Sequence, residues 1–159
     1  MDMTRQAKGF TLIELVMVMV VLGVLAALAS MRMPGDGINV GAQAEQLASD
    51  IRYTQSLAMS RGQRFRVNVS ANSYQITDMS GVAQVHPGTG QTAAVTLGSM
   101  VLSGYNPPLT NSYLAFDSLG VPYTDPTTAL AALVTMTLTS GGEAITVRVA
   151  PQTGRVQVQ

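Results

Sequence analysis

Apolar residues follow three different rhythms along this chain. From Phe10 to Met33 they are almost continuous, and between Leu15 and Ala29 nothing is charged or strongly polar. The 20 residues Phe10–Ala29 would make a helix about 30 Å long, the thickness of a bilayer's hydrocarbon core. Gly23 is the only glycine inside this block, and no proline appears before Pro34. A transmembrane helix over residues 10–33 is therefore expected. "PGDG" at 34–37 should then kink the helix or form a linker, because proline cannot donate to a helical ladder and glycine loosens the backbone.

The second rhythm runs through "AQAEQLASDIRYTQSLAMSRG". Leu47, Ile51, Thr54 and Ala58 fall at i, i+4, i+7 and i+11, one face of a helix, and Gly62 is a stop signal. Gln46, Asp50 and Gln63 are placed on the opposite, solvated side. This face is expected to pack on a sheet.

From Arg64 the period becomes two. Phe65, Val67 and Val69 alternate with Arg64, Arg66 and Asn68, and "SANS" turns the chain into Tyr74 and Ile76. The same alternation recurs at Leu114 and Phe116, at Val134, Met136 and Leu138, and at Ile145, Val147 and Val149. "PQTGR" then leads into Val156 and Val158. Alternation rather than solid apolar runs implies antiparallel strands with one solvated face. Asp78–Ala94 lacks a period and reads as a long loop, as does "SGYNPPLTNS" with Pro107 and Pro108.

Composition narrows the possible chemistry. At 159 residues the chain suits one domain with an appendage, and residues 38–159 suffice for one modest core. Nine basic residues balance nine acidic ones, which argues against a dedicated polyanion binder. The local group Arg61, Arg64 and Arg66, together with Arg155, supplies the candidates for anion or DNA contact. A solvated turn face accounts for the first three without any ligand. There is no cysteine, so disulfides, thiol catalysis and thiolate metal sites are excluded.

The single histidine, His86, falls in the "VHPGTG" loop and reads as an exposed side chain with no special task. No nucleophile elbow, phosphate-binding glycine loop or metal-ligand spacing is present. Asp117 and Asp125 bracket a turn without forming a cation-binding pattern. No enzyme, cofactor or metal is indicated.

The anomaly is Glu14. A carboxylate at the centre of a membrane span costs about 2.5–3.5 kcal/mol, less near its end, and such a group normally has a partner. A secretory signal peptide, with Arg5 and Lys8 in front and an Ala27-Leu28-Ala29 cleavage site before Ser30, would have no use for that charge. The same cations, against Arg32 alone behind the span, place the N-terminus on the cytoplasmic side.

"KGFTLIELVMVMVVLGVLAALA" resembles the prepilin leader and transmembrane segment of type IV pilins and type II secretion pseudopilins. The resemblance implies a leader of residues 1–9, cut by a prepilin peptidase between Gly9 and Phe10, and N-methylation of the new Phe10 terminus. Glu14 would then neutralise the terminal ammonium of a neighbouring subunit, an attraction strengthened by low dielectric and partly offset by desolvation. The passages "AEQLASDIRYTQSLAMSRGQRFRV", "YLAFDSLGVPYTD" and "ITVRVAPQTGRVQVQ" resemble, more loosely, the GspH/FimT-type minor pseudopilins and minor pilins.

An α+β pilin-like fold is implied, with a long N-terminal helix packed on antiparallel sheet and residues 38–159 as the periplasmic globular domain. The implied role is assembly into a secretion pseudopilus or a type IV pilus. Its partners would be the peptidase, other pilins or pseudopilins, and an inner-membrane assembly platform. The alternative is a DNA-binding minor pilin for natural transformation. A C-terminal turn offering Arg155 alone weakens it, since salt-linked affinity grows with the number of phosphates neutralised.

Overall fold

The computed structural model describes residues 11–30, 36–106, 108–109 and 111–159. The chain divides between Pro34 and Gly35 into two compact units. The first contains helix α1, Leu12–Ser30. The second contains helix α2, Asp36–Arg61, and, among the described residues, nine strands.

Helix α1 is 19 residues long, about 28 Å at 1.5 Å per residue. Among the described residues no helix is long and apolar enough to cross a membrane. The expected span, 10–33, runs past α1 at both ends into residues outside the described set, as does the expected kink at Pro34. Asp36 and Gly37, expected in the linker, already belong to α2.

The strands are β1 Phe65–Val69, β2 Ser73–Asp78, β3 Val95–Thr96, β4 Val101–Asn106, β5 Tyr113–Phe116, β6 Pro122–Tyr123, β7 Val134–Ser140, β8 Glu143–Val149 and β9 Val156–Val158. They form two sheets, in the orders β3-β2-β1-β5-β6 and β4-β7-β8-β9. Every pairing is antiparallel, as expected of an α+β chain with hairpin-length turns. Strand β4 corrects the expectation of a loop through "SGYNPPLTNS", since Ser103–Asn106 are strand. Its pairing with β7 shifts register between Ser103 and Asn106, and that irregularity obscures the period-two pattern.

Helix α2 packs on β8, β1, β9, β7 and β5. Its buried residues Val40, Ala44, Leu47, Ala48, Ile51, Leu57 and Ala58 meet the inward sides of both sheets. Those sides carry Phe65, Val67, Tyr74, Ile76, Leu114 and Phe116 from the first sheet, and Val134, Met136, Leu138, Val147 and Val149 from the second. The strands alternate buried and half-exposed residues, as in β1 and β7. Strand β5 does not: all four of its residues are buried.

One side chain fastens both sheets to the helix. Gln55 Nε2 donates to the Gly120 carbonyl at 2.9 Å and to the Thr153 carbonyl at 2.8 Å. These carbonyls belong to the turns after β5 and β8. At Gly154, with φ +64°, a Cβ would meet Gln55 Nε2 at 2.5 Å, Phe116 at 2.8 Å and the Gly120 carbonyl at 3.0 Å. At Gly120, with φ +79°, it would meet Met59 Sδ at 3.0 Å. Glycine is required at both turns by backbone conformation and by space.

Candidate functional site

Thr11 opens α1. Its Oγ1 accepts the Glu14 amide at 3.3 Å, and its carbonyl accepts the amides of Glu14 and Leu15 at 3.1 and 3.2 Å. Thr-x-x-Glu is the spacing of a capping box, and an acid in the first turn is favoured by the helix dipole. The return bond, from the Thr11 amide to the Glu14 carboxylate, is absent among the described residues. Glu14 therefore helps to start the helix through its backbone while its carboxylate has no partner there. The large apolar side chains from Leu12 to Leu25 are 49–82% exposed. Gly9 and Phe10, the expected cleavage and methylation positions, lie outside the described residues.

The second unit contains a polar cluster that sequence reasoning missed. Asp50 is 1% exposed and His86 3%, which corrects both expectations, the outward-facing Asp50 and the exposed loop His86. His86 Nε2 lies 2.5 Å from Asp50 Oδ2, and the Tyr74 hydroxyl donates to the same oxygen at 2.5 Å. Gln46 Nε2 adds a longer bond at 3.4 Å.

The tautomer of His86 follows from its other nitrogen. Nδ1 accepts the amides of Gly88 and Thr89 at 3.2 and 3.3 Å, so the ring proton belongs on Nε2 and is donated to Asp50. Burial, then the hydrogen bond to the Asp50 carboxylate, pushes the Tyr74 phenol well above its ordinary range. The cluster ties loop 79–94 to α2 and β2. The Tyr74 and His86 donors are both committed inside the fold.

A signal for Asp50 was available. At about 100° per residue, Asp50 lies about 60° from Leu47 and about 40° from Thr54, within the buried stripe. Its charge, not its angle, suggested the solvated side.

The arginines are separately engaged. Arg61 is exposed, donates to Gln84 Oε1 at 3.0 Å and lies 5.6 Å from the Phe65 ring centroid. Arg64 donates to the Pro126 carbonyl at 2.5 Å and lies 4.2 Å from the Tyr123 centroid. Arg66 donates to Thr77 Oγ1 at 3.1 Å and lies 5.2 Å from the Tyr113 centroid. Arg155 is exposed on the turn before β9.

Both acids of the turn region are occupied by their own loops. Asp117 accepts the amides of Leu119 and Val121, each at 2.9 Å. Asp125 accepts those of Thr127 and Thr128, the Thr128 amide first and then the Thr127 amide holding its carboxyl below the usual range. No group of metal-ligating side chains occurs among the described residues.

Residues 43–153 match the family described as type II transport protein GspH, and residues 4–30 match the prokaryotic N-terminal methylation motif. No curated protein matches the chain. Among solved structures, the chain is similar to the type IV minor pilin FimU of Pseudomonas aeruginosa in two crystal forms. In one, the TM-score is 0.53 at 16% identity, covering 76% of this chain and 87% of that one. In the other it is 0.52 at 16% identity, covering 75% and 91%. The fold is thus that of a minor pilin. Because its matched region spans most of the molecule, the chain belongs to the GspH family, whose members are pilin-like structural subunits of secretion or pilus assembly.

Proposed function

We propose that this chain is a minor pseudopilin or minor pilin that acts by assembly rather than catalysis. It would enter the bacterial inner membrane once, with its N-terminus cytoplasmic and its second unit periplasmic. A prepilin peptidase would cut between Gly9 and Phe10, and Phe10 would be methylated. The subunit would then join other pilins or pseudopilins through its N-terminal helix, at an inner-membrane assembly platform.

The observation that carries this reading is Glu14. From Leu12 to Leu25 the large apolar side chains are 49–82% exposed, and the one carboxylate among them has no side-chain partner among the described residues. Cleavage after Gly9 would create a new ammonium four residues ahead of it. In a bundle of such helices, the ammonium of one subunit would meet the Glu14 of the next, where low dielectric makes an unpaired charge costly and a paired one specific to register.

The test is the N-terminal mass of the protein recovered from membranes. A terminus at Phe10 carrying one extra methyl is expected. A terminus at Ser30 would mean that Glu14 is discarded with a signal peptide, and the reading would fall.

A further inference from the structure

Tyr113 and Ala115 are 5% and 1% exposed, yet neither belongs to the apolar core between α2 and the sheets. They alternate along β5 with Leu114 and Phe116, which do belong to it. Their side chains therefore leave the first sheet on its other face. What covers them there is polar and cationic. Arg66 pairs in register with Ala115 and Asn68 with Tyr113, while Tyr123 flanks Ala115 from β6. The Arg66 guanidinium sits over Tyr113 and that of Arg64 over Tyr123.

Each guanidinium is steered by a single hydrogen bond, to Thr77 or to the Pro126 carbonyl. Five donors on each leave most of the fork unused among the described residues. Neither arginine has a carboxylate within salt-bridge distance among the described residues. Asp117, the next residue on this side of β5, is taken by two amides and by the Tyr123 hydroxyl at 3.2 Å. The Tyr113 hydroxyl is buried in the same layer and has no hydrogen-bond partner among the described residues.

We infer that this outer face of the first sheet receives carboxylates, and that its occupant is an acidic segment of a neighbouring subunit in the filament. The inference rests on the filament reading above. Stacking on a ring pre-orients a guanidinium, and its planar fork matches a carboxylate bidentately. Nucleic acid fits less well. Excluding Arg5, Lys8 and Arg32 from nine basic residues leaves six in the second unit, and excluding Asp2 and Glu14 from nine acidic ones leaves seven. A globular unit so balanced, with two arginines on this face, neutralises few phosphates.

The test uses the full-length protein in zwitterionic detergent micelles and a labelled peptide carrying Glu-Glu pairs. Its controls are the same peptide with Gln for Glu, and a labelled duplex DNA. Fluorescence anisotropy should show salt-sensitive binding of the Glu peptide alone. The double variant Arg64→Gln, Arg66→Gln should weaken it about tenfold or more, as expected for losing two charge-assisted bonds. Arg155→Gln should leave it unchanged.

Should the double variant not fold, chemical-shift mapping of wild-type protein decides. Shifts on adding the Glu peptide should concentrate at Arg64, Arg66, Tyr113 and Tyr123. Shifts elsewhere, no peptide binding, or duplex DNA bound more tightly through the same arginines would overturn the inference. A chain correctly cut at Phe10 that ignores the peptide overturns only this surface. A chain cut at Ser30 overturns the filament reading instead.

Discussion

Helices α1 and α2 each place one carboxylate among apolar residues, and the two are treated in opposite ways. Asp50 is enclosed by its own fold, with His86, Tyr74 and Gln46 all directed at its Oδ2. Glu14 has no side-chain partner among the described residues. A buried charge must be paired or it destabilises the state that buries it. Asp50 meets that requirement within one chain and so contributes to folding. Under the proposed function, Glu14 would meet it only through a group of a neighbouring subunit, on assembly.

The largest effect expected from breaking this contrast is at His86. His86→Ala removes a donor from a buried carboxylate and releases loop 79–94, which should cost about 3 kcal/mol. In a domain of this size that lowers Tm by about 10 °C, readable by circular dichroism or scanning fluorimetry. An unchanged Tm would show that the cluster does not hold the fold.

Next is Tyr74→Phe, expected to cost about 2 kcal/mol by removing a hydrogen bond to a charged group. It also carries a pH signature. The folded phenol's pKa is raised, so its contribution is complete below the ordinary tyrosine value of about 10 and declines as pH rises beyond it. Wild-type Tm should therefore fall more steeply above pH 10 than that of Tyr74→Phe. Parallel curves would mean that the phenol titrates normally.

Glu14→Ala should reverse the pattern. The Tm of the second unit and cleavage after Gly9 should stay as in wild type, while incorporation into filaments drops about tenfold, the equivalent of 1.4 kcal/mol of docking energy. Sheared-filament immunoblots measure it, and normal incorporation would remove the docking role. The smallest effect is Gln46→Ala. Its bond to Asp50 is long and only part-buried, so a loss below about 1 kcal/mol is expected. A loss as large as that for His86 would mean that the carboxylate depends on it equally.

Sequence alone determined what depends on near neighbours. The apolar block with its misplaced acid, the helical stripe Leu47, Ile51, Thr54 and Ala58, and the alternation in β1, β2, β7, β8 and β9 are all local periodicities. They recur in the structure because a helix or strand must present one apolar side to a core. Gly120 and Gly154 lie in passages that the sequence singles out, "YLAFDSLGVPYTD" and "PQTGR", but their necessity was not legible there, because Gln55 reaches both turns across 65 and 98 residues.

Tertiary structure decided what depends on distant partners. Asp50 and His86 are 36 residues apart, and Asp50 and Tyr74 are 24 apart. No periodicity links them. A charge on a helix is assigned to solvent unless its partners are known, since the cost of burial is decided by those partners and not by the residue. The same holds for Arg64 and Arg66, which the alternation of β1 placed on a solvated face and the fold laid over Tyr123 and Tyr113. Strand β4 escaped notice because the register shift in its pairing breaks the period. Hydrophobic rhythm fixes the direction a side chain faces, whereas the satisfaction of a polar group is fixed only when the chain closes on itself.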